Sequence, residues 1–214
     1  MKIAPAVAAP VLCLAAGLAH AQGGETPPGV APEAPGWEFS ATGEWNAPKG
    51  GTDFASGTFT ADRGALHLEA RANYEAIHAQ SAFVGWTFSW GGAVKLEATP
   101  IAGGVGGSLR GPIAGLEATL SSGAFDYYLE AEHVSVRNEG ESSYNYAWTE
   151  LGWRPAEWLR FGAVGQHTRI YGGDRETQRG GFVQLTHGKA TLSAYWFNPG
   201  TSDQVLIVSL GAAF

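Results

Sequence analysis

Acidic side chains recur at alternate positions in several segments of this 214-residue chain. Glu69 and Glu75, for example, fall in one phase with Arg71. Alternate residues of a β-strand lie on the same face of the sheet, so these groups would gather on one polar face. Its carboxylates outnumber its basic groups, and rings of carboxylates favour cations. The candidate residues are Glu38, Glu44, His67, Glu69, Arg71, Glu75, Lys95, Glu97, Glu117, Asp126, Glu130, Glu150 and Arg160.

Neither metal nor cofactor binding is predicted from short motifs. His67 and Glu69 share a face, but two potential ligands without a third nearby do not make a metal site. The glycine-rich stretch Gly103–Gly107 lacks the Gly-Lys-Ser/Thr ending of a phosphate loop. It is predicted to be a loop between strands.

One pair of residues could support hydrolysis. His133 and Ser135 share a face, and Glu139 and Glu141 follow in the adjoining segment. This pair resembles the His-x-Ser arrangement of outer-membrane lipid A deacylases, a resemblance that implies a base and a nucleophile. The rest of that family's motif is absent. The family's pattern would also place the acidic residue farther along the sequence than Glu139 and Glu141 lie here. The chain is therefore predicted not to be an enzyme, with the deacylase kept as an alternative.

The elements that position these groups are β-strands. Apolar and polar residues alternate from Trp37 to the end, without helical periodicity. About 12 strands of roughly ten residues each are predicted, the length that a tilted membrane strand requires. Their spans are 37–46, 53–61, 65–77, 80–90, 93–102, 112–121, 124–136, 143–153, 158–170, 180–187, 190–198 and 204–214. Four aromatic residues, Tyr128, Tyr146, Trp148 and Tyr195, are also expected to point inward, although the phase of 143–153 is ambiguous.

Short and longer connections alternate between these strands, as in membrane barrels with short periplasmic turns and longer external loops. This pattern predicts an all-β, antiparallel, up-and-down transmembrane β-barrel with both chain ends on the periplasmic side. Aromatic residues are expected to form two interfacial belts. The periplasmic belt comprises Trp37, Trp90, Phe125, Trp153, Trp158, Phe161 and Phe214, and the external belt comprises Trp45, Tyr74, Tyr171 and Trp196.

The last strand carries the strongest resemblance to a known class. Its apolar face consists of Leu206, Val208, Leu210, Ala212 and Phe214. An alternating strand that ends the chain on an aromatic residue resembles the C-terminal signal of Gram-negative outer-membrane proteins. The resemblance implies a porin-like barrel from Trp37 to Phe214 that contacts outer-membrane lipid. It also implies that the barrel-assembly machinery recognises this strand during insertion.

The N-terminal region looks like an export signal. Lys2 precedes the apolar stretch Ala4–Leu18, and Ala19-His20-Ala21 forms a small-x-small cleavage site. Residues 1–21 are thus predicted to be a signal peptide, 22–36 a flexible periplasmic leader and 37–214 the barrel. Only 15% of residues are charged, which suggests that little of the surface faces water. The formal net charge of -7 argues against nucleic-acid binding.

Several functions remain open on the sequence alone. In a barrel of the bacterial outer membrane, the polar face would line a narrow channel or a ligand-binding lumen for small polar or cationic solutes. Alternatively, its side chains would interlock and plug the barrel, since about 8 strands give a filled interior and about 16 a channel. The sequence of a soluble periplasmic lipocalin-like binding protein would show the same alternation, but its apolar face would point inward and its polar face would contact water. The oligomeric state is not predicted.

Overall fold

The computed structural model describes residues 35–171, 173 and 175–214. The predicted signal peptide and nearly all of the predicted leader lie outside these residues. The strands are β1 Glu38–Pro48, β2 Phe54–Arg63, β3 Leu66–Ala72, β4 Ala79–Trp86, β5 Phe88–Gly91, β6 Val94–Gly107, β7 Gly111–Ser122, β8 Phe125–Val134, β9 Tyr144–Ala156, β10 Leu159–Ile170, β11 Arg175–His187, β12 Ala190–Phe197 and β13 Val205–Ala213.

These strands form a closed antiparallel barrel. Successive strands pair with each other, and β1 pairs with β13 to close the ring. β4 and β5 are two parts of one wall strand, interrupted at Thr87, and both pair with β6. The wall therefore has twelve strands, which confirms the predicted fold class. Among the described residues, no helix is long and apolar enough to span a membrane.

The two ends of the barrel differ in their connections. At one end, the turns contain two residues each: Gly64-Ala65, Gly92-Ala93, Gly123-Ala124, Glu157-Trp158 and Gly188-Lys189. This short-turn end also carries the first residue of β1 and the last of β13, because Ser40 pairs with Ala213. The connections at the other end, here called the long-loop end, are longer. This asymmetry confirms the predicted alternation of turns.

The outward face of the barrel is apolar. In β13, Leu206, Val208 and Leu210 are 42%, 39% and 62% exposed, whereas the intervening Ile207 and Ser209 are buried. A soluble lipocalin-like barrel would turn its apolar face inward. The observed barrel turns its apolar face outward, which is the opposite of what that alternative requires. All the predicted belt aromatics are exposed except Tyr74.

Three strand boundaries differ from the prediction by five residues each. β6 continues through Gly103–Gly107, because Gly103 and Gly104 pair with both β4 and β7, and Gly106 and Gly107 pair with β4. A Cβ atom on Gly103 would clash with the Ala82 carbonyl oxygen, so glycine permits this close approach. The stretch is therefore strand, and its prediction as a loop was wrong. β11 begins earlier than predicted, at Arg175, and β3 ends earlier, at Ala72.

The early end of β3 moves Tyr74 from the outer face into the lumen. Asn73 has a φ of 55° and thereby breaks the alternation of the strand. Its side chain stabilises the turn, because Oδ1 accepts a hydrogen bond from the His78 backbone at 2.8 Å. Tyr74 is consequently only 4% exposed. Its assignment to the external aromatic belt was wrong, since alternation cannot be extended through a left-handed residue.

Phe214 lies on the seam between the first and last strands. Its backbone N–H donates to the Phe39 carbonyl at 2.9 Å, and its ring stacks on Phe39 at 6.0 Å and approaches Phe59 at 6.5 Å. Deleting Phe214 should slow barrel closure several-fold, because this seam joins the parts of the wall that are farthest apart in sequence. The measurement is the rate at which the heat-modifiable band appears on unboiled gels during refolding into lipid vesicles.

The control for that experiment is Phe125→Ala. Phe125 lies at the same end of the barrel and is equally exposed, at 60% against 59% for Phe214, but it is not on the seam. Its refolding rate should stay close to that of the unaltered protein. Equal rates for the two variants would show that Phe214 has no special part in closure.

Candidate functional site

The inward phase gathers most of the polar residues predicted from the sequence. Eight of them are buried in the lumen: Glu44, His67, Glu69, Arg71, Glu117, Glu130, Glu150 and Arg160. Asp126 is half-buried beside Arg160, and Glu75 enters from the loop after β3 with its side chain 1% exposed. Glu38 and Glu97 are exposed and lie around a cavity at the short-turn end. Lys95 is exposed and makes no ion pair with the described residues.

A single buried guanidinium organises the first polar group, the Arg71 cluster. Arg71 is 3% exposed and lies next to the last residue of β3. Five carboxylates from three parts of the wall and one loop surround it within ion-pairing distance: Glu69, Glu75 at 3.7 Å, Glu117 at 3.6 Å, Glu130 at 3.3 Å and Glu132 at 2.7 Å. Because isolated charges are costly to bury, Arg71 and these carboxylates depend on one another.

Aromatic rings complete the Arg71 cluster. The Arg71 guanidinium carbon lies 4.2 Å from the ring centre of Tyr74 and 4.5 Å from that of Phe83. Tyr74 Oη donates to Glu130 Oε1 at 2.8 Å, which fixes the inserted loop against β8. Cation–π contacts are stronger where water is excluded. The turn at Asn73 thus supplies a buried partner that alternation did not predict.

A second buried guanidinium organises the Arg160 cluster. Arg160 pairs with Asp126, and its Nη1 donates to Glu150 Oε2 at 2.6 Å and to Gln184 Oε1 at 2.8 Å. A Cβ atom on Gly152 would lie 2.6 Å from Arg160 Nε, so this glycine leaves room for the ion pair. The cluster ties β8, β9, β10 and β11 together across the lumen side of the wall.

Large aromatic and aliphatic side chains also point inward, so the lumen is less polar than predicted. Trp148, Tyr195, Phe197 and Ile207 have no exposed surface. Trp148 contacts the rings of Tyr195 and Phe197 with centres 5.3 and 5.2 Å apart. Their burial also settles the ambiguous phase of β9, in which Trp148 and Glu150 face inward. Trp148 and Tyr195 are expected here from the sequence, whereas Phe197 and Ile207 are not. Phe197 shares a phase with Tyr195, and Ile207 with Ser209, so that spacing could have revealed them.

Contacts between distant parts of the wall fill the middle of the lumen. Tyr195 Oη on β12 and Trp148 Nε1 on β9 both donate to Glu150 Oε1, each at 3.0 Å. On the other side, Tyr74 meets Tyr146 edge-on with ring centres 6.4 Å apart. A second apolar group packs inside the barrel from β4, β6, β7, β8 and the loop between β6 and β7: Ala79, Phe83, Ile101, Val105, Leu109, Ile113 and Val134.

The short-turn end contains an acidic cavity, here called the vestibule. Its volume is about 300 Å³. Its charged lining is Glu38, Asp62, His67, Glu97 and Glu117, and hydroxyl groups of Ser40, Thr60, Thr87, Thr99 and Thr119 lie between them. No lysine or arginine is among its described lining residues. Carboxylates that line a concave surface attract and concentrate cations.

His67 links the vestibule to the Arg71 cluster. Its Nδ1 lies 2.7 Å from Asp62 Oδ1, and its Nε2 lies 3.3 Å from Glu69 Oε2. Glu117, from β7, approaches the same point, so one potential ligand atom from each of His67, Glu69 and Glu117 lies within 4.8 Å of the other two. The third group that the sequence did not place beside His67 and Glu69 therefore comes from a distant strand.

The predicted hydrolytic pair has a different arrangement from a base and nucleophile. His133 Nδ1 lies 2.8 Å from Asn145 Oδ1, and its ring meets Tyr171 edge-on. No hydrogen bond joins His133 to Ser135 within the described part of the chain. Glu139 and Glu141 are exposed, and no contact between either residue and His133 is found among the described residues. The geometry therefore gives the deacylase alternative no assembled site.

No family model matches this chain, and no curated protein matches it. Similar solved structures include OccK5 (OpdH) from Pseudomonas aeruginosa, with 10% identity and a TM-score of 0.43 over 83% of this chain and 66% of that one. The loop L8 deletion mutant of OmpT, an outer membrane protein of Vibrio cholerae, has 7% identity and a TM-score of 0.41 over 84% and 98%. The translocator domain of autotransporter NalP from Neisseria meningitidis has 11% identity and a TM-score of 0.40 over 84% and 88%.

Of these, OmpT is an outer membrane protein, the class whose C-terminal signal the last strand of this chain resembles. The chain spans just under two thirds of OccK5. At such low identities and TM-scores, the likeness concerns the barrel architecture alone. The features that bear on function are therefore the lumen and the vestibule of this chain.

Proposed function

We propose that this chain is an outer-membrane β-barrel that binds small cationic solutes in its vestibule while side chains close the lumen behind it. The observation that carries the proposal is that the interior of the barrel is open at one end and filled beyond it. An acidic cavity opens at the short-turn end, and fully buried aromatic and ionic groups fill the barrel beyond it. A solute that entered from this end would meet carboxylates first and then a packed barrier.

The apolar outer face supports the membrane location. Large hydrophobic side chains cover the outside of the wall, including Leu151 at 58% and Leu210 at 62% exposure. Exposed apolar surface of this extent is unfavourable in water, whereas lipid accommodates it. Short turns face the periplasm in outer-membrane barrels, so the vestibule would open toward the periplasm.

The proposal predicts binding without conduction. The purified protein should give no conductance steps in planar bilayers, and it should bind the diamine putrescine in equilibrium dialysis. Replacing Glu38 and Glu97 by glutamine should weaken this binding by about three- to tenfold, because each exposed carboxylate contributes up to about 1 kcal/mol. Binding should also weaken as salt screens the carboxylates.

The matched control replaces Glu139 and Glu141 by glutamine, which makes the same charge change in the loop between β8 and β9. This variant should bind putrescine like the unaltered protein. Steady conductance in the unaltered protein would contradict closure and favour the narrow-channel alternative. Absence of putrescine binding, or equal weakening in both double variants, would contradict a vestibule site.

A further inference from the structure

The carboxylates at the inner end of the vestibule outnumber the cationic groups beside them. Asp62, Glu69 and Glu117 lie near His67, and the nearest guanidinium, Arg71, is already shared with Glu75, Glu130 and Glu132. Even a protonated His67 would leave an excess of negative charge. Buried carboxylates in such excess require either protons or a bound cation.

One carboxylate oxygen at this point is poorly satisfied. Glu117 is 6% exposed, and its Oε1 accepts no hydrogen bond from the described residues. The nearest cationic atom is Arg71 Nη2 at 3.6 Å, which likewise has no hydrogen-bond acceptor in the described part of the chain. Buried polar atoms are normally paired, and an unpaired one in a native fold can indicate an ion. The Glu117 carboxylate belongs to the group that also contains His67 and Glu69.

We propose that His67, Glu69 and Glu117 bind a divalent transition-metal ion, of which Zn²⁺ is the suitable probe. The ligand set of one imidazole and two carboxylates suits Zn²⁺, and such a site with three protein ligands retains a position for water or solute. In a tetrahedral zinc site, bonds of about 2.1 Å place ligand atoms about 3.4 Å apart. The three ligand atoms lie within 4.8 Å of one another, so they would have to approach by about 1.4 Å at most to reach this distance.

Asp62 would orient the histidine ligand. Its carboxylate lies 2.7 Å from His67 Nδ1 and accepts a hydrogen bond from that atom when it carries the proton, which directs Nε2 toward Glu69. Metal-ligating histidines commonly make such a bond through their second nitrogen. His67 and Glu117 both line the vestibule, so the remaining coordination position would face the cavity. This inference rests on the proposed vestibule and names a specific ligand class for its inner end.

The test measures ⁶⁵Zn²⁺ binding by equilibrium dialysis of the folded protein in detergent. One ion per chain is expected, and His67→Gln and Glu117→Gln should each weaken binding at least about tenfold. Asp62→Asn should weaken it by about tenfold through lost orientation of the imidazole. The matched control is Glu139→Gln, which removes the same charge from the loop between β8 and β9 and leaves the vestibule unaltered, so its zinc affinity should change less than twofold.

Folding and coordination are checked separately. Heat-modifiable gel mobility shows which variants are folded, and visible absorption of the Co²⁺-loaded protein reports the coordination geometry. If His67→Gln does not fold, Glu117→Gln and the Co²⁺ spectrum of the unaltered protein still decide the question. Lack of zinc binding, or equal losses in Glu139→Gln and the ligand variants, would overturn the metal site. Putrescine binding that persists without zinc binding would overturn the metal site alone, whereas the reverse would overturn only the proposed diamine binding.

Discussion

Arg71→Met should lower the free energy of unfolding of the barrel by about 3–5 kcal/mol, because removing one partner of a buried ion cluster leaves uncompensated charge. Arg71 is the guanidinium that Glu69, Glu75, Glu117, Glu130 and Glu132 share. Methionine keeps much of the side-chain length and apolar stem, so the change reports mainly the lost charge and hydrogen bonds. The measurement is denaturant-induced unfolding in detergent micelles, followed by tryptophan fluorescence.

Arg179→Met is the matched control, since Arg179 is exposed on β11 and makes no ion pair with the described residues. Its effect should stay within about 0.5 kcal/mol. Adding Glu130→Gln and Glu132→Gln to Arg71→Met should recover part of the loss, because these changes remove the carboxylates left unpaired. Unaltered stability of Arg71→Met would show that the cluster does not depend on this guanidinium.

Truncating two of the buried aromatic residues should open the lumen to ions. The variant that combines Trp148→Ala and Tyr195→Ala removes rings from facing positions on β9 and β12, where they contact each other and Glu150. Each substitution should also destabilise the barrel by about 3–5 kcal/mol, as large-to-small changes in packed interiors do. We expect conductance steps in planar bilayers from this variant and none from the unaltered protein.

The control for this experiment uses neighbouring aromatics on the same two strands. Trp153→Ala and Trp196→Ala remove rings that point outward, with 42% and 51% exposure. This double variant should remain closed. If the inward double variant fails to fold, Trp148→Ala alone should still admit ions and serves as the second test. A folded inward variant without conductance would mean that other groups, with the Arg71 cluster foremost, form the barrier.

Most of the wall could be predicted from the sequence, because its rules are local. The period of two assigns Leu206 and Ile207 to opposite faces, and the apolar face then identifies the outside of the barrel. Two-residue turns such as Gly64-Ala65 set the register of their hairpins. These features determined the strand number, the order of the strands and most of the inward residues.

Local rules failed at Asn73 and at Gly103–Gly107. One residue with a positive φ reverses the phase of the residues after it, so Tyr74 turned inward although the pattern placed it outside. The glycines of Gly103–Gly107 suggest a loop in the sequence, but they form part of β6, because β4 and β7 approach this segment closely on its two sides. In both places, contacts with residues distant in sequence decided the conformation.

Alternation along the chain was enough to predict that carboxylates, a few basic residues and aromatics would share one face of a twelve-stranded barrel. It could not predict which of them meet, because curvature and closure set the distances across the lumen. The closed barrel brought Glu117 of β7 beside His67 and Glu69 of β3, and it placed five carboxylates around Arg71. Alternation in the sequence therefore assigns each side chain to one face of the sheet, whereas closure of the barrel decides which side chains it contacts across the lumen.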